Sequence, residues 1–479
     1  MNISKHYSFL ICAGVCLWMG SCKAPAVTVH EEHSPPLATY EQQPGDTSNM
    51  ASIKWRNFFT DKYLVSLIDT ALQRNQELLT TLQEVEIARN DIRVKKGELL
   101  PSVVAKAGAG VDKVGRYTSQ GAGDASTEIT PGKEVPDVLP DYNVGVYANW
   151  EVDIWKKLRN QKQAAVERYL ATIEGKNFVI TNLVAEIANT YYELLSLDNQ
   201  LDIVKAALQL QKNALEVVKV QKIAAKANEL AVKKFEAEVL NSESRAYDIQ
   251  QQIKEGENKI NFLLARYPQP VEREKTGFLT LLPQQVKTGI PAQLLSNRPD
   301  IRQAELELRA ARLDVKVARA AFYPSLDLSA AVGLDAFQPG LLTHLPESLL
   351  FSIGGDLAAP LINKNAIKAE FKNADARQLQ ALYNYEKTVL NACIEVSNEL
   401  SNIHNMEQKY QAKSKEVDAL NKSIEVSNDL YRYARADYLE VLMTQRDALD
   451  AKLELMETKG KEINAVTNIY RALGGGWND

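Results

Sequence analysis

The chain has 479 residues, enough for two or three ordinary domains, and its 56 basic against 61 acidic side chains leave a net charge of −5. That near-balance gives no electrostatic footprint for nucleic acid and no polybasic patch for an anionic lipid surface. Aromatics make up 7% and Met only six residues, thin for one tightly packed globular core, whereas Ala, Gln, Glu, Lys and Asn suit long helices.

The first 22 residues stand apart. Lys5 precedes the apolar run "FLICAGVCLWMG" (residues 9–20), which is short for a bilayer span, so residues 1–21 read as an export signal. The run ends in "MGSC", which resembles the bacterial lipoprotein signal, and the resemblance implies that Cys22 becomes the lipidated first residue of the mature protein. Cys12 and Cys16 would leave with the signal. Cys22 and Cys393 then remain, and with Cys22 acylated no disulfide is expected. Residues 22–50 lack periodicity and read as a tether; its "HEEH", with His30 and His33, reads as solvated linker. Beyond Cys22 no apolar stretch reaches eighteen residues, so any span of a bilayer must be made by strands closed into a barrel.

From Trp55 to Leu100 the spacing predicts helix, ended by Pro101, which biases Leu100 towards extended geometry. A period of two follows. Val103, Ala105, Ala107, Ala109 and Val111 alternate with Ser102, Val104, Lys106, Gly108 and Gly110. Residues 115–140 read as a loop, and a second alternation sets Tyr142, Val144, Val146, Ala148 and Trp150 against Asn143, Gly145, Tyr147 and Asn149. Runs of nine to eleven residues with aromatics at the ends suit tilted transmembrane strands.

Trp155 to about Val220 carries sustained three–four spacing, a helix of roughly 100 Å at 1.5 Å per residue, and that spacing argues coiled-coil packing. Asp198 and Gln211 interrupt its apolar stripe. Helix returns after "AAKANEL" and runs to Arg266. A Pro-rich connector, residues 267–297, separates this first repeat (51–266) from a second (298–479).

The second repeat has the same order. Asp300 is expected to cap a helix, with Gln303 completing a capping box, and that helix ends at Pro324. Leu326, Leu328, Ala330, Val332 and Leu334 then alternate with Ser325, Asp327, Ser329, Ala331 and Gly333, and a fourth strand lies in "LFSIGGDLA". Long helices are expected from Ile367 to Tyr433 and from Tyr438 to Leu473. Pro101 and Pro324 are 223 positions apart, "ANELAV" and "ADYLEV" 209 apart, and the shorter second loop, Asp335–Ser348, accounts for the difference. Hence the chain is an internal duplication of helix, strand, loop, strand, long helix and helix.

Four strands are too few to close a barrel, and one of their faces carries Lys106, Asn143, Asn149, Asp327 and Asp356, which want water. Several protomers sharing one barrel satisfy both constraints. A soluble sheet packed on helices, and a lipid-anchored coiled-coil stalk, are the alternatives that periodicity leaves open.

"NRPDIRQAELELRAARLDVKVARAAFYPSLDLSAAVGL" (residues 297–334) resembles the signature segment of TolC-like outer-membrane factors, lipoprotein subclass. "YNVGVYANWEVDIWKKLRNQKQAA", "ADYLEVLMTQRDAL" and "YRALGGGW" match other segments in the same order. The resemblance implies an α+β membrane protein that forms a homotrimer: a twelve-stranded outer-membrane β-barrel, four strands per protomer, continued by a periplasmic α-helical barrel. It further implies a passive exit duct of a tripartite efflux system in a Gram-negative bacterium, served by a periplasmic adaptor and an inner-membrane RND-type pump. A type I protein-secretion duct has the same architecture and is the alternative; Cys22 and "RPDIRQAE" favour efflux.

The same resemblance supplies candidate sites. Ala225, Lys226, Asn228, Ala434, Arg435 and Asp437 fall at the periplasmic tips, where the adaptor would dock, and Ala225 and Ala434 occupy positions where the family usually has Gly. Leu439, Met443 and Arg446 fall where relatives carry the Leu, Asp and Arg of a periplasmic gate. With Met443 in place of the Asp, Arg446 is expected to find another carboxylate, such as Asp447 or Glu440. Leu326, Leu328, Ala330, Val332, Leu334, Tyr142, Val144, Val146 and Trp150 are expected to face lipid. His344 and His404 lack placed co-ligands, and no catalytic constellation, cofactor site or metal site is defensible, so an enzyme is not expected.

Overall fold

A computed structural model describes residues 25–26, 48–275, 277–281, 286–362, 364–433 and 435–478. The signal segment, Cys22, nearly all of the tether and Ala434 lie outside them. The described residues fall into two units. One is built chiefly from Ile87–Tyr169 and Leu306–Leu382; the other is built from residues 48–86, Leu170–Glu305 and Tyr383 onwards. Each unit draws on both sequence repeats.

In the first unit four strands form one antiparallel sheet: β1 (Ser102–Asp112), β2 (Leu139–Glu151), β3 (Ser325–Ala336) and β4 (Leu349–Ala358), in that spatial order. They occupy the four stretches of period-two alternation. The stretch between β1 and β2, read as plain loop, contains more structure. A short helix, Ser119–Asp124, is capped by Thr118, and Glu128–Thr130 pairs with Lys133–Glu134. The connecting Pro131 and Gly132 explain the second feature: proline suits the first corner of a type II turn, and Gly132 takes the positive φ of 80° at the second.

Among the described residues there are seven longer helices: α1 (Lys62–Arg74), α2 (Gln76–Gly97), α3 (Lys157–Ile223), α4 (Glu229–Leu263), α5 (Pro299–Ala320), α6 (Asn365–Arg432) and α7 (Tyr438–Ala472). Asp61 caps α1 by accepting from the N–H groups of Tyr63 and Leu64. The expected Asp300 cap is corrected: α5 begins at Pro299, and proline is preorganised for a first helical position. Asp300 therefore lies inside the first turn, where its carboxylate accepts from the Arg298 guanidinium at 2.7 and 3.0 Å.

In the second unit the three–four spacing becomes interhelical packing. Leu215 and Val218 of α3 pack with Ala231, Val232, Phe235 and Val239 of α4 and Leu442 of α7. One level along, Leu197, Leu201 and Val204 meet Ala246, Ile249 and Leu449. Burying a large apolar side chain contributes about 1.5–3 kcal/mol, so truncating Phe235 would weaken the first of these layers by at least that much. Trp55, Leu64, Ile68, Tyr191 and Tyr470 are each at most 2% exposed. The contacts of Tyr470 account for "YRALGGGW". Tyr470 stacks on Phe58 at 4.0 Å and donates its hydroxyl to Ile53 O at 2.6 Å. A Cβ at Gly475 would sit 2.3 Å from the Tyr470 ring, and one at Gly474 (φ 91°) 2.6 Å from Asn297 O.

Candidate functional site

Strand register sorts the sheet into two unlike faces. Val144 lies opposite Ala107 and Leu334, Val146 opposite Ala105 and Val332, and Trp150 opposite Leu328; Val332 in turn lies opposite Phe351. Directly opposed residues share a face. Tyr142, Val144, Val146, Trp150, Leu326, Leu328, Ala330, Val332 and Leu334 therefore lie together on one apolar face, with Phe351 and Ile353 of β4 73% and 88% exposed. The opposite face places Asn143 beside Gly108 and Asp335, Asn149 beside Ser102 and Ser329, and Asp327 between Glu151 and Asp356. Among the described residues, both outer strands, β1 and β4, have one edge unpaired.

The two proline junctions are fastened in the same way. The Trp150 indole donates to Leu99 O at 3.1 Å, just before Pro101, and the Trp155 indole donates to Pro324 O at 2.7 Å. Trp155 also stacks on Tyr323 at 4.7 Å. Asp153 holds the start of α3 by accepting from Leu158 N and Arg159 N at 2.9 and 3.0 Å. Burial works to raise the Asp153 carboxyl, but the Arg159 guanidinium and these N–H groups outweigh it and hold it below its ordinary value. "WEVDIWKKLR" thus reads as two indole clamps around a helix cap.

At the tip of the first helical pair Ala225 has φ 59°. Ala225 N donates to Lys222 O and Lys226 N to Gln221 O, the two bonds of a Schellman cap with its left-handed position filled by alanine. Ala265 (φ 50°) ends α4 with the same pair of bonds. The turn geometry is thus retained without glycine, at a backbone cost of about 1–2 kcal/mol. Asn228 is committed locally, its side-chain oxygen accepting from Ala231 N at 2.9 Å as the cap of α4. Lys226 is exposed, and Lys222 bridges the turn to Glu229, holding that carboxyl low. At the second tip Arg435 N donates to Leu430 O at 2.8 Å, and exposed Asp437 precedes α7 without a side-chain cap bond. Tyr431 of α6 donates its hydroxyl to Gln221 of α3 at 2.6 Å, joining the two helical pairs near their tips.

Leu439, Met443 and Arg446 form one exposed stripe along α7, while Val441, Leu442, Ala448 and Leu449 bury the other side. Arg446 lies 3.9 Å from Asp447, both about half exposed, a pair of small energetic weight. The stripe continues to Asp450, which pairs with Arg245 of α4.

Sequence reasoning missed the buried ion networks. Asp198, read as a break in the α3 stripe, is 2% exposed and accepts from Arg273 Nε and Nη2 at 2.5 and 3.0 Å. Arg273 also donates to Glu257 Oε1 (2.9 Å) and Val271 O (2.8 Å), which fastens the connector to both α3 and α4. Arg298 donates to Asp300, Glu395 and Ala472 O, and Arg471 meets Glu395 from the other side. Burial works to lower the Arg298 guanidinium; Asp300 and Glu395 reverse this and raise it above its ordinary value.

The sequence profile described as "Outer membrane efflux protein" matches residues 67–266 and 290–475. The chain is 27% identical over 462 residues to the "Pyoverdine export outer membrane protein OpmQ" of Pseudomonas aeruginosa, covering 96% of this chain and 95% of the relative. It is 26% identical to the "Probable outer membrane lipoprotein SilC" of Salmonella typhimurium, covering 88% of each. The fold superposes with TM-score 0.82 on the open state of the MtrE outer membrane channel of Neisseria gonorrhoeae, at 22% identity, covering 95% of this chain and 98% of that one. Indole-clamped strand junctions, a two-faced sheet and paired long helices thus coincide with a profile that spans both repeats, and the chain belongs to the outer membrane efflux protein family.

Proposed function

We propose that three copies close one twelve-stranded barrel in the outer membrane and that their long helices form a helical barrel in the periplasm, a passive duct for solutes delivered by an inner-membrane RND-type pump through a periplasmic adaptor. The observation that carries this is the open-edged sheet, apolar on one face and polar on the other. An unpaired strand edge has no partner in hydrocarbon, so the sheet must close. With an even number of antiparallel strands, β4 of one copy runs opposite to β1 of the next, and head-to-tail addition keeps every seam antiparallel. The apolar face then meets lipid and the polar face lines water.

The family typically assembles as trimers, which supports the copy number. Cys22 is proposed as the lipid anchor, a role supported by its "MGSC" context and by the lipoprotein name of SilC. Lys226, Arg435 and Asp437 are proposed as adaptor contacts at the tips; Ala225 and Asn228 belong to the turn that presents Lys226. Leu439 and Met443 are proposed as an apolar constriction, with Arg446 directed to a carboxylate of a neighbouring copy. The reading is tested by paired substitutions on one strand. Val332→Lys puts a charge on the lipid side near the middle of β3, at a cost of about 2–4 kcal/mol per chain, and should abolish trimers in the outer membrane. Ser329→Lys, on the other face, should assemble normally. Equal tolerance of both would overturn the assignment of faces.

A further inference from the structure

Among the described residues, Lys106 is the one basic side chain on the four strands, and it lies on the polar face. Six carboxylates share that face. Asp112, Asp141 and Asp335 lie towards the loop end of the strands; Glu151, Asp327 and Asp356 lie towards the end that joins the helices. Lys106 sits between the two groups. Its cross-strand neighbour is Gly145, and the neighbour of Gly145 is Gly333, so two adjacent strands offer no side chain at its level. Those glycines are required by close strand approach, since a Cβ at Gly333 would lie 2.6 Å from Val144 O. The ammonium group is held 5.2 Å from the centre of the Tyr147 ring, which fixes its height on the wall without neutralising its charge.

We propose that Lys106 is a specificity-determining residue of the bore: a ring of three ammonium groups that divides an otherwise acidic lining into two belts. The inference rests on the trimeric reading above, in which the polar face lines water. A cation crossing such a wall meets attraction at both ends and a rise in the middle, so it is not held along the whole length; conduction needs binding weak enough to permit release. An anionic group, repelled at both ends, meets a favourable station at mid-height. Tyr147 adds an apolar surface beside it. The solute class that gains most is therefore an amphiphile with an anionic headgroup.

Local potential at the wall tests this without involving the periplasmic gate. Ala331 faces Tyr147 across the β2–β3 pair, roughly 12 Å from Lys106 at ordinary strand spacings. In a Cys393→Ser background, Ala331→Cys introduces a thiol whose modification from the outside is timed with an anionic sulfonatoethyl and a cationic trimethylammonioethyl methanethiosulfonate. At about 10 mM ionic strength, Lys106→Gln should lower the anionic-to-cationic rate ratio about twofold and Lys106→Glu about fourfold, and 150 mM salt should erase most of the difference. A ratio indifferent to both substitutions, with the thiol still reactive, overturns the role of Lys106 and leaves the channel reading intact. A thiol that neither reagent reaches overturns the water-lined bore itself.

Discussion

Arg273 is the sharpest structural bet in the molecule, because it holds a carboxylate that has almost no access to water. Asp198 is 2% exposed and takes two hydrogen bonds from the guanidinium, while Glu257 takes a third. Arg273→Met removes all three and leaves Asp198 charged and buried, a change that ordinarily costs about 3–5 kcal/mol. Exposed Lys275, 3.2 Å from Asp198, offsets part of this, so a loss of about 3 kcal/mol is expected. Connector residue Phe278, buried at 2% exposure, gives the readout, because chymotrypsin reaches it only when the connector opens. At 1.4 kcal/mol per decade the opening equilibrium should rise about a hundredfold, and cleavage after Phe278 with it. The double variant Asp198→Leu, Arg273→Met removes the stranded charge and should restore most of the resistance. Wild-type cleavage in the single variant, or a double variant as labile as the single, would refute the reasoning.

The helix caps and one buried acid give two further tests. Ala225→Gly and Ala265→Gly relieve left-handed alanines worth about 1–2 kcal/mol, less about 0.4–1 kcal/mol from the greater freedom of glycine in the unfolded chain. Each should therefore stabilise its helix end by about 0.5–1 kcal/mol in hydrogen exchange of the last turn, whereas Ala225→Val should destabilise it. Burial, aided by nearby Glu395, raises the Glu399 carboxyl above its ordinary value of 4.5. The native state thus holds that proton more tightly than the unfolded chain does. The corresponding stability is present below pH 4.5 and lost as pH rises through the elevated native value. Glu399→Gln keeps an acceptor for Asn402, and in thermal unfolding should match the wild type at pH 4 and exceed it at pH 7.

What was legible in the sequence followed from local periodicity. The strands are half apolar with a period of two, so the face of residues such as Val144 and Asp327 could be read before any pairing was known, whereas the cross-strand register came only with the structure. Leu439, Met443 and Arg446 are spaced by four and three, and that spacing alone puts them on one helical stripe. Long-range chemistry was not legible. Asp198 looked like an interruption because its partner, Arg273, lies 75 positions away in a connector without periodicity. Asp300 looked like a cap because acids favour that position, but the helix starts at Pro299, two residues earlier than that cap implies, and the carboxylate is free for Arg298. Ala225 stood where the resemblance puts glycine, but an alanine does not by itself show that φ stays positive, since the turn imposes a conformation that the side chain disfavours.

The central claim is that the four-stranded sheet is one third of a closed wall. The mass of the intact assembly extracted from the outer membrane in mild detergent tests it most directly, by native mass spectrometry with lipid stripped in the gas phase. The account predicts three chains, dissociating on heating as the seams between β4 and β1 of neighbouring copies separate. A single chain released from the membrane, folded and unaccompanied, would contradict it.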